Sequence, residues 1–287
     1  MANNHDLNLK REIILLTFAT CSKDNLSELL QTCESVKNFT TVFNLNVVVF
    51  EHILILSNYN KSQIELLKDT LSSYNDYYIK SKVIETSPKG ISSAFNTALE
   101  VAQGSYIMFL NAGDKINCNS EGIDSFNQII RNFFLEKQLN SKSVYYFDII
   151  TSGRTKLFNR RVSYPNKLNP YHFLKMGNPI NHQSTLYPLQ LAKGYPYPIM
   201  PVGMDYSVNL SMIFNGVEFH KLPGVLIEYD ITGISAKKPF QRLYINFKTL
   251  TLKAIKHHAL NLVIICWMML PILLLRSAIQ KITYFLR

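Results

Sequence analysis

From Gly90 to Asp114 the chain reads GISSAFNTALEVAQGSYIMFLNAGD, and this stretch decides the fold. Ile91 to Ala102 has a helical pattern, and Gly104 stops it. Tyr106 to Leu110 follows as a short, fully apolar strand. The strand runs into Asn111-Ala112-Gly113-Asp114, a good turn sequence. In a parallel sheet that turn sets a carboxylate at the carboxyl edge, where open α/β folds bind their ligands.

Working outward, the same alternation repeats. Glu12 to Phe18 reads as a first strand. A helix then starts near Asn25, with Leu26, Leu29, Leu30, Cys33 and Val36 at helical spacing. His52 to Leu56 is a second strand, Gln63 to Leu71 a helix and Tyr77 to Ile84 a third strand. A helix near Asp124 to Phe134 and a strand at Val144 to Ile150 complete this half. Strand-helix alternation predicts an α/β fold, a mostly parallel sheet flanked by helices. The second half is cut by Pro165, Pro170, Pro179, Pro188, Pro196, Pro198 and Pro201 into short pieces suited to an acceptor-binding surface.

The formal charge is +10, and nearly all of it lies at one end. Beyond Ile231 there is no Asp or Glu, while nine Lys and Arg residues are present. A basic tail seeks phosphates of nucleic acid or of anionic lipid. This tail also holds the most apolar run, Ala259 to Leu275, which favours lipid, and no nucleic-acid motif appears. Pro271 and Asn261 interrupt the run, and Lys253, Lys256, Arg276 and Lys281 flank it on both sides. Charge on both sides favours a segment lying in the cytoplasmic leaflet, with a single span and a buried soluble helix as alternatives. Residues 1–236 are thus expected to form the catalytic domain and 237–287 a membrane-associating helical tail. Cys21, Cys33, Cys118 and Cys266 form neither a close pair nor a metal-like CxxC. The polar start, MANNHDLNLKRE, lacks an apolar leader, so the catalytic part is expected in the cytoplasm.

The 90–114 stretch resembles the pattern of family 2 glycosyltransferases: Gly-Ile, a helix carrying Ala and Asn, a Gly, an apolar strand, then Leu-Asn-x-x-Asp. Thr17 to Leu26, Glu51 to Ile55, Asn181 to Thr185 (NHQST), Asp205-Tyr206 and Gly233 to Ser235 fall in the family's order. The resemblance covers roughly residues 12 to 236. It implies a GT-A, Rossmann-like fold and transfer from a nucleotide-sugar donor to a lipid-linked saccharide acceptor in surface polysaccharide synthesis. It places the protein on the cytoplasmic face of a bacterial inner membrane.

The resemblance also implies roles. Asp114 matches the last Asp of the family's Asp-x-Asp signature and would hold Mg²⁺ or Mn²⁺ with the nucleotide's own oxygens, Asn111 or Ala112 standing where the first acid belongs. Asp205, at the front of a helical pattern, would be the base that takes the acceptor hydroxyl's proton; a helix cap is the alternative. His182 and Gln183 are placed near diphosphate or acceptor, against a purely structural role. Gly90 would let the backbone approach the nucleotide, or simply open a helix. Asn96 would bond within the site, or serve as a core polar residue. The sequence departs from the family after the second strand, where Leu56-Ser57-Asn58-Tyr59-Asn60 lacks the nucleotide-binding Asp, and again at Pro88 and Ser93. Asn58 and Asn60 are the available substitutes. A catalytically impaired, glycan-binding relative is the competing reading.

Overall fold

Strands whose residues are apolar at every position must be buried on both faces, and the first half of the chain obeys this. In a computed structural model the described residues are 13–42, 48–74, 79–87, 89–117, 123–124, 126–127, 141–152, 159–175, 177–230 and 238–285. Strands β1 (Ile13–Lys23), β2 (Val48–Ser57), β3 (Ile79–Glu85) and β4 (Tyr106–Asn111) pair in parallel, Phe18 lying between His52 and Met108. Helices α1 (Leu26–Val42), α2 (Lys61–Ser72) and α3 (Ile91–Val101) connect them. Successive side chains point to opposite faces. Phe18, Phe50, Met108 and Leu110 therefore join one core with Leu29 and Phe39, while Ala19, Ile53 and Phe109 join a second with Phe95 and Ala98.

The described strands continue as β5 (Lys115–Ile116), β6 (Ser143–Ser152), β7 (Arg160–Val162), β8 (Thr185–Pro188) and β9 (Glu218–Asp230). The sheet order is β3-β2-β1-β4-β8-β6-β9-β5, with β7 on β6. β8 is antiparallel to both β4 and β6, joining Ile107 to Tyr187 and Leu186 to Tyr145. This strand of four residues welds the regular half to the proline-cut half. β9 was not expected from the sequence: Pro223 and Gly224 interrupt its apolar pattern. The pairing compensates, since β9 lies parallel to β6 through register shifts around Asp148. Of the expected Asp124–Phe134 helix only Asp124, Phe126 and Asn127 are described, and the Gly233–Ser235 motif lies outside the described residues.

Two buried carboxylates pin this scaffold. Glu51 accepts from Thr17 Oγ1 at 2.7 Å, Lys82 Nζ at 2.8 Å and the Gln103 N–H at 2.8 Å, tying three strands to the α3–β4 connection. Asp148 accepts from Lys221 Nζ at 2.8 Å, Arg161 at 3.1 Å, Ser163 at 3.0 Å and the Tyr164 N–H at 2.9 Å.

Short helix α4 (Leu189–Lys193) and helix α5 (Met204–Phe214) follow β8. Helices α6 (Pro239–Lys256) and α7 (Leu260–Phe285) then build a third core: Leu243, Leu250, Ala254, Leu262, Cys266 and Leu273 close over Phe173, Tyr206 and Leu210. Helix α6 thereby covers the helix that carries Asp205. The segment Leu260–Lys281 is long and apolar enough to cross a membrane, by length and composition. Leu260, Ile264, Met268, Ile272, Leu275 and Ile279 form an exposed apolar stripe on α7, opposite its packed face.

Candidate active site

Helix α5 starts at Gly203, whose φ of 76° belongs to glycine, and no side chain caps its first turn. A Cβ at Gly203 would lie 2.4 Å from Asn246 Oδ1, so the glycine also lets α6 close against this end of α5. Asp205 sits in that first turn. Its Oδ2 accepts from Asn178 Nδ2 at 2.8 Å and lies 3.4 Å from His182 Nδ1. About a quarter of the Asp205 side chain, 24%, remains exposed to solvent. Burial works against its charge, but the His182 contact, the Asn178 amide and the Tyr206 N–H outweigh that and hold the carboxyl below its usual range. Asp205 is thus ionised at neutral pH.

The support behind this carboxylate is polar and continuous. Asn178 Oδ1 accepts from Asn209 Nδ2 at 3.2 Å, and Asn209 Oδ1 accepts from the buried Tyr187 hydroxyl at 2.8 Å. Asn209 stands one turn after Asp205 on the same helix face, which is the sequence signal for its role. Asn178 carried only the signal of an Asn-Pro loop.

His182 lies in the 3-10 turn His182–Ser184, almost fully buried, with its ring edge-on to Phe95 of α3 at 5.2 Å and Phe109 of β4 at 6.3 Å. Its Nε2 has no hydrogen-bond partner among the described residues. Three of the expected pieces, α3, the end of β4 and the His182–Asp205 pair, thus meet in one place. Gln183 is buried in the same turn. Gly90 has a φ of 97° and precedes α3 without a capping side chain; a Cβ there would meet nothing within 4 Å, so its backbone faces open space.

Other expected site residues have structural work of their own. Asn96 Nδ2 donates to the Tyr197 carbonyl at 2.9 Å and its Oδ1 accepts the Tyr197 N–H at 2.7 Å, holding the proline-cut segment against α3. Asn60 caps α2 in a reciprocal pair with Gln63. Asn58, at φ 60°, instead stays exposed and donates to Asp24 Oδ2 at 3.2 Å. Asp24, which sequence reasoning passed over, thereby stands at the end of β1 beside the place where the family's Asp follows β2.

Asp114 is buried, 1% exposed, and its Oδ2 accepts the Asn111 N–H at 2.8 Å. Thr32 of α1 locks the turn further, donating to the Asp114 carbonyl at 2.8 Å and accepting the Gly113 N–H at 2.9 Å. Mg²⁺ or Mn²⁺ needs several oxygen ligands. Asp114 offers one carboxylate, already engaged by its own turn, and the described residues contain no group of three His, Cys, Asp or Glu that could hold a metal. Asp114 is the one carboxylate that the Asp-x-Asp likeness expects here, with the nucleotide's own oxygens completing the shell, and that likeness asks for no group of three protein ligands.

No family model matches the sequence, and no curated protein matches it. Solved structures do. The structure of S. aureus TarS 1–349 in complex with UDP has a TM-score of 0.59 at 12% identity, covering 84% of this chain and 66% of that one. The mannosyltransferase PcManGT from Pyrobaculum calidifontis, in complex with GDP-Man and Mn²⁺, has a TM-score of 0.55 at 14% identity over 85% of this chain and 65% of that one. GalNAc-T7 with UDP, GalNAc and Mn²⁺ has a TM-score of 0.52 at 11% identity over 76% of this chain and 44% of that one. The chain thus spans about two thirds of the length of the TarS and PcManGT chains it matches. What these likenesses establish is the architecture: the chain has a GT-A-like fold, a mostly parallel sheet flanked by helices, extended by a long apolar C-terminal helix.

Proposed function

We propose that the protein is a glycosyltransferase that moves a sugar from a nucleotide-sugar donor to an acceptor hydroxyl, with Asp205 as the base. The observation that carries this reading is the Asp205 carboxylate itself: ionised, partly open, and oriented by Asn178 beside a buried His182. A carboxylate fixed on one side of the sugar, taking the proton of the attacking hydroxyl, suits a single displacement with inversion. On the family's pattern the donor contacts would come from Gly90, Asn111 and Gln183, and the Asp24–Asn58 pair beyond the ends of β1 and β2 is a further candidate. A divalent ion held by Asp114 and the nucleotide's own oxygens would neutralise the leaving diphosphate. The basic, apolar C-terminal helices support an acceptor that is a lipid-linked saccharide, met at the cytoplasmic face of an anionic membrane during surface polysaccharide synthesis.

A panel of nucleotide sugars tests the proposal by transfer to lipid-linked saccharide and by the rise in unfolding midpoint that a bound donor causes. Transfer from one donor, lost in Asp205→Asn while donor binding persists, is the expected result. The engaged states of Asn60, Asn96 and Asp114 favour a second reading, a glycan-binding relative without transferase activity. Glycan binding with no transfer from any donor would establish that reading instead.

A further inference from the structure

Between Tyr197 and Gly203 the chain arches out of the core and returns to it beside the site. The first foot of the arch is clamped. Asn96 donates to the Tyr197 carbonyl at 2.9 Å and accepts its N–H at 2.7 Å, and the Tyr197 ring packs on Phe95 at 5.0 Å and on Phe109 at 5.3 Å. Phe95 is also the ring against which His182 stands, at 5.2 Å. The second foot is the buried Val202 with Gly203, whose left-handed turn presses on Asn246 and opens the helix that carries Asp205. Both feet therefore rest on the framework of the Asp205–His182 pair. Burial, and then Tyr187 and Asp205, push the Tyr197 hydroxyl well above its ordinary range, so this phenol lies within reach of the Asp205 charge.

The arch itself is Pro198-Ile199-Met200-Pro201, a run without a polar side chain. Surface turns ordinarily carry Gly, Asn, Asp or Ser, whose side chains suit water. Here Ile199 is 84% exposed, whereas no other large apolar side chain described outside α6 and α7 is more than half exposed. An isoleucine scattered singly on a surface needs no explanation. One held at the crown of an all-apolar arch does, because its surface adds nothing to the core. Pro198 and Pro201 fix their own φ and bias the residues before them to extended backbone. The arch consequently has little conformational freedom to lose when a ligand settles on it. A rigid apolar ridge beside an ionised carboxylate suits a ligand with an apolar face and a hydroxyl-bearing rim, which is the build of a sugar ring.

We propose that the 198–201 arch is a platform for the acceptor saccharide: the C–H face of a sugar ring rests on Ile199 and the flanking prolines, with a rim hydroxyl turned toward Asp205. The inference rests on the transferase reading for the fate of that hydroxyl. It adds the surface that positions the acceptor, and it makes Ile199 a specificity-determining residue.

The test uses the full-length protein with isotope-labelled isoleucine methyl groups, the Ile199 signal being identified by its loss in Ile199→Leu. Titration with a panel of methyl glycosides of the common hexoses and N-acetylhexosamines should move the Ile199 signal saturably for one or more sugars. Ile199→Ser should weaken binding of the same glycoside roughly tenfold, the scale of losing one buried apolar contact surface, and Ile199→Leu should retain most of it. In transfer assays Ile199→Ser should raise the acceptor KM by a similar factor while donor affinity and the unfolding midpoint stay at wild-type values. A panel that leaves the Ile199 signal still, or an Ile199→Ser variant with the wild-type acceptor KM, overturns the platform. A signal that moves only with phosphatidylglycerol vesicles, with vesicle binding weakened in Ile199→Ser, gives the arch to a membrane surface and overturns it as well. If no nucleotide sugar binds or supports transfer while a glycoside still moves Ile199, the transferase reading fails and the saccharide platform stands.

Discussion

His182 Nδ1 stands 3.4 Å from Asp205 Oδ2, closer to a charge contact than to a strong hydrogen bond, while Asn178 makes the short bond to the same oxygen. The carboxylate is therefore oriented by an amide and flanked by an imidazole whose buried Nε2 has no hydrogen-bond partner among the described residues. This arrangement has consequences that can be measured.

Replacing Asp205 by Asn keeps the shape and removes the proposed base. Turnover should fall by about 10² to 10⁴, the usual contribution of general-base catalysis, with donor affinity nearly unchanged. Steady-state kinetics against donor-binding titrations check the split. A collapse of donor affinity with turnover intact at saturation would place Asp205 in the donor site.

Because the Asp205 carboxyl is held below its usual range, the base is ionised throughout the neutral region, and activity should be lost only as pH falls through that lowered value. His182→Phe preserves an aromatic ring against Phe95 and Phe109 but removes one of the contacts that lower Asp205. The acid limb of the pH–rate profile should then move upward. A wild-type limb around pH 6.5, the range of an ordinary imidazole, would give the proton-accepting role to His182.

Asp148→Asn should cost about 3–5 kcal/mol, because Lys221 and Arg161 lose the charge that compensates them beside a buried position. Burial alone would raise this carboxyl, but Lys221, the Tyr164 N–H, Ser163 and Arg161 hold it below its usual range. Its folded value lies below its unfolded one, so its contribution is complete above the unfolded value, about 3.9, and is lost as pH falls through the folded value. Denaturant titrations of the variant and wild type across acid pH should converge at the low end.

Asp114→Ala leaves the Asn111 N–H of a buried turn without its acceptor, a loss of about 1–3 kcal/mol. Asp114→Asn retains an acceptor and should cost less. Unfolding midpoints read both; a variant of wild-type stability would return Asp114 to a ligand-binding role.

Removing residues 236–287 uncovers Phe173, Tyr206 and Leu210, so the shortened chain should be destabilised and expose apolar surface. Gly203→Ala probes the same contact more gently: its positive φ and the 2.4 Å approach to Asn246 Oδ1 predict a loss of about 1–3 kcal/mol. A truncated protein with the full-length unfolding midpoint of its remaining core would show that α6 is dispensable.

The parallel half of the fold was legible because its signals are local. Apolar runs such as Tyr106 to Leu110, buried on both faces, and helices with one apolar stripe follow from periodicity within a few residues. Strand ends were read short, as with Lys23 and Ser57, because the residues past the apolar run are polar and are held in the sheet only by their neighbours. β9 escaped for a related reason: Pro223 and Gly224 deny it a continuous pattern, and its ladder to β6 depends on contacts far away in sequence.

By itself the sequence determined the α/β alternation, the carboxyl-edge position of Asn111 to Asp114, the pairing of a basic tail with an apolar run, and Asp205 at the front of a helix. Each depends on residue type and spacing along one segment. Only the tertiary structure decided which polar groups are spent and which are free to act. Asn96, Asn60 and Asp114 are consumed by backbone partners, Asn178 is brought from a loop to Asp205, and α6 is laid over α5. A side chain's hydrogen-bonding capacity is finite, and what it meets is set by chain segments tens of residues apart, so its availability for chemistry is a property of the fold and not of the motif.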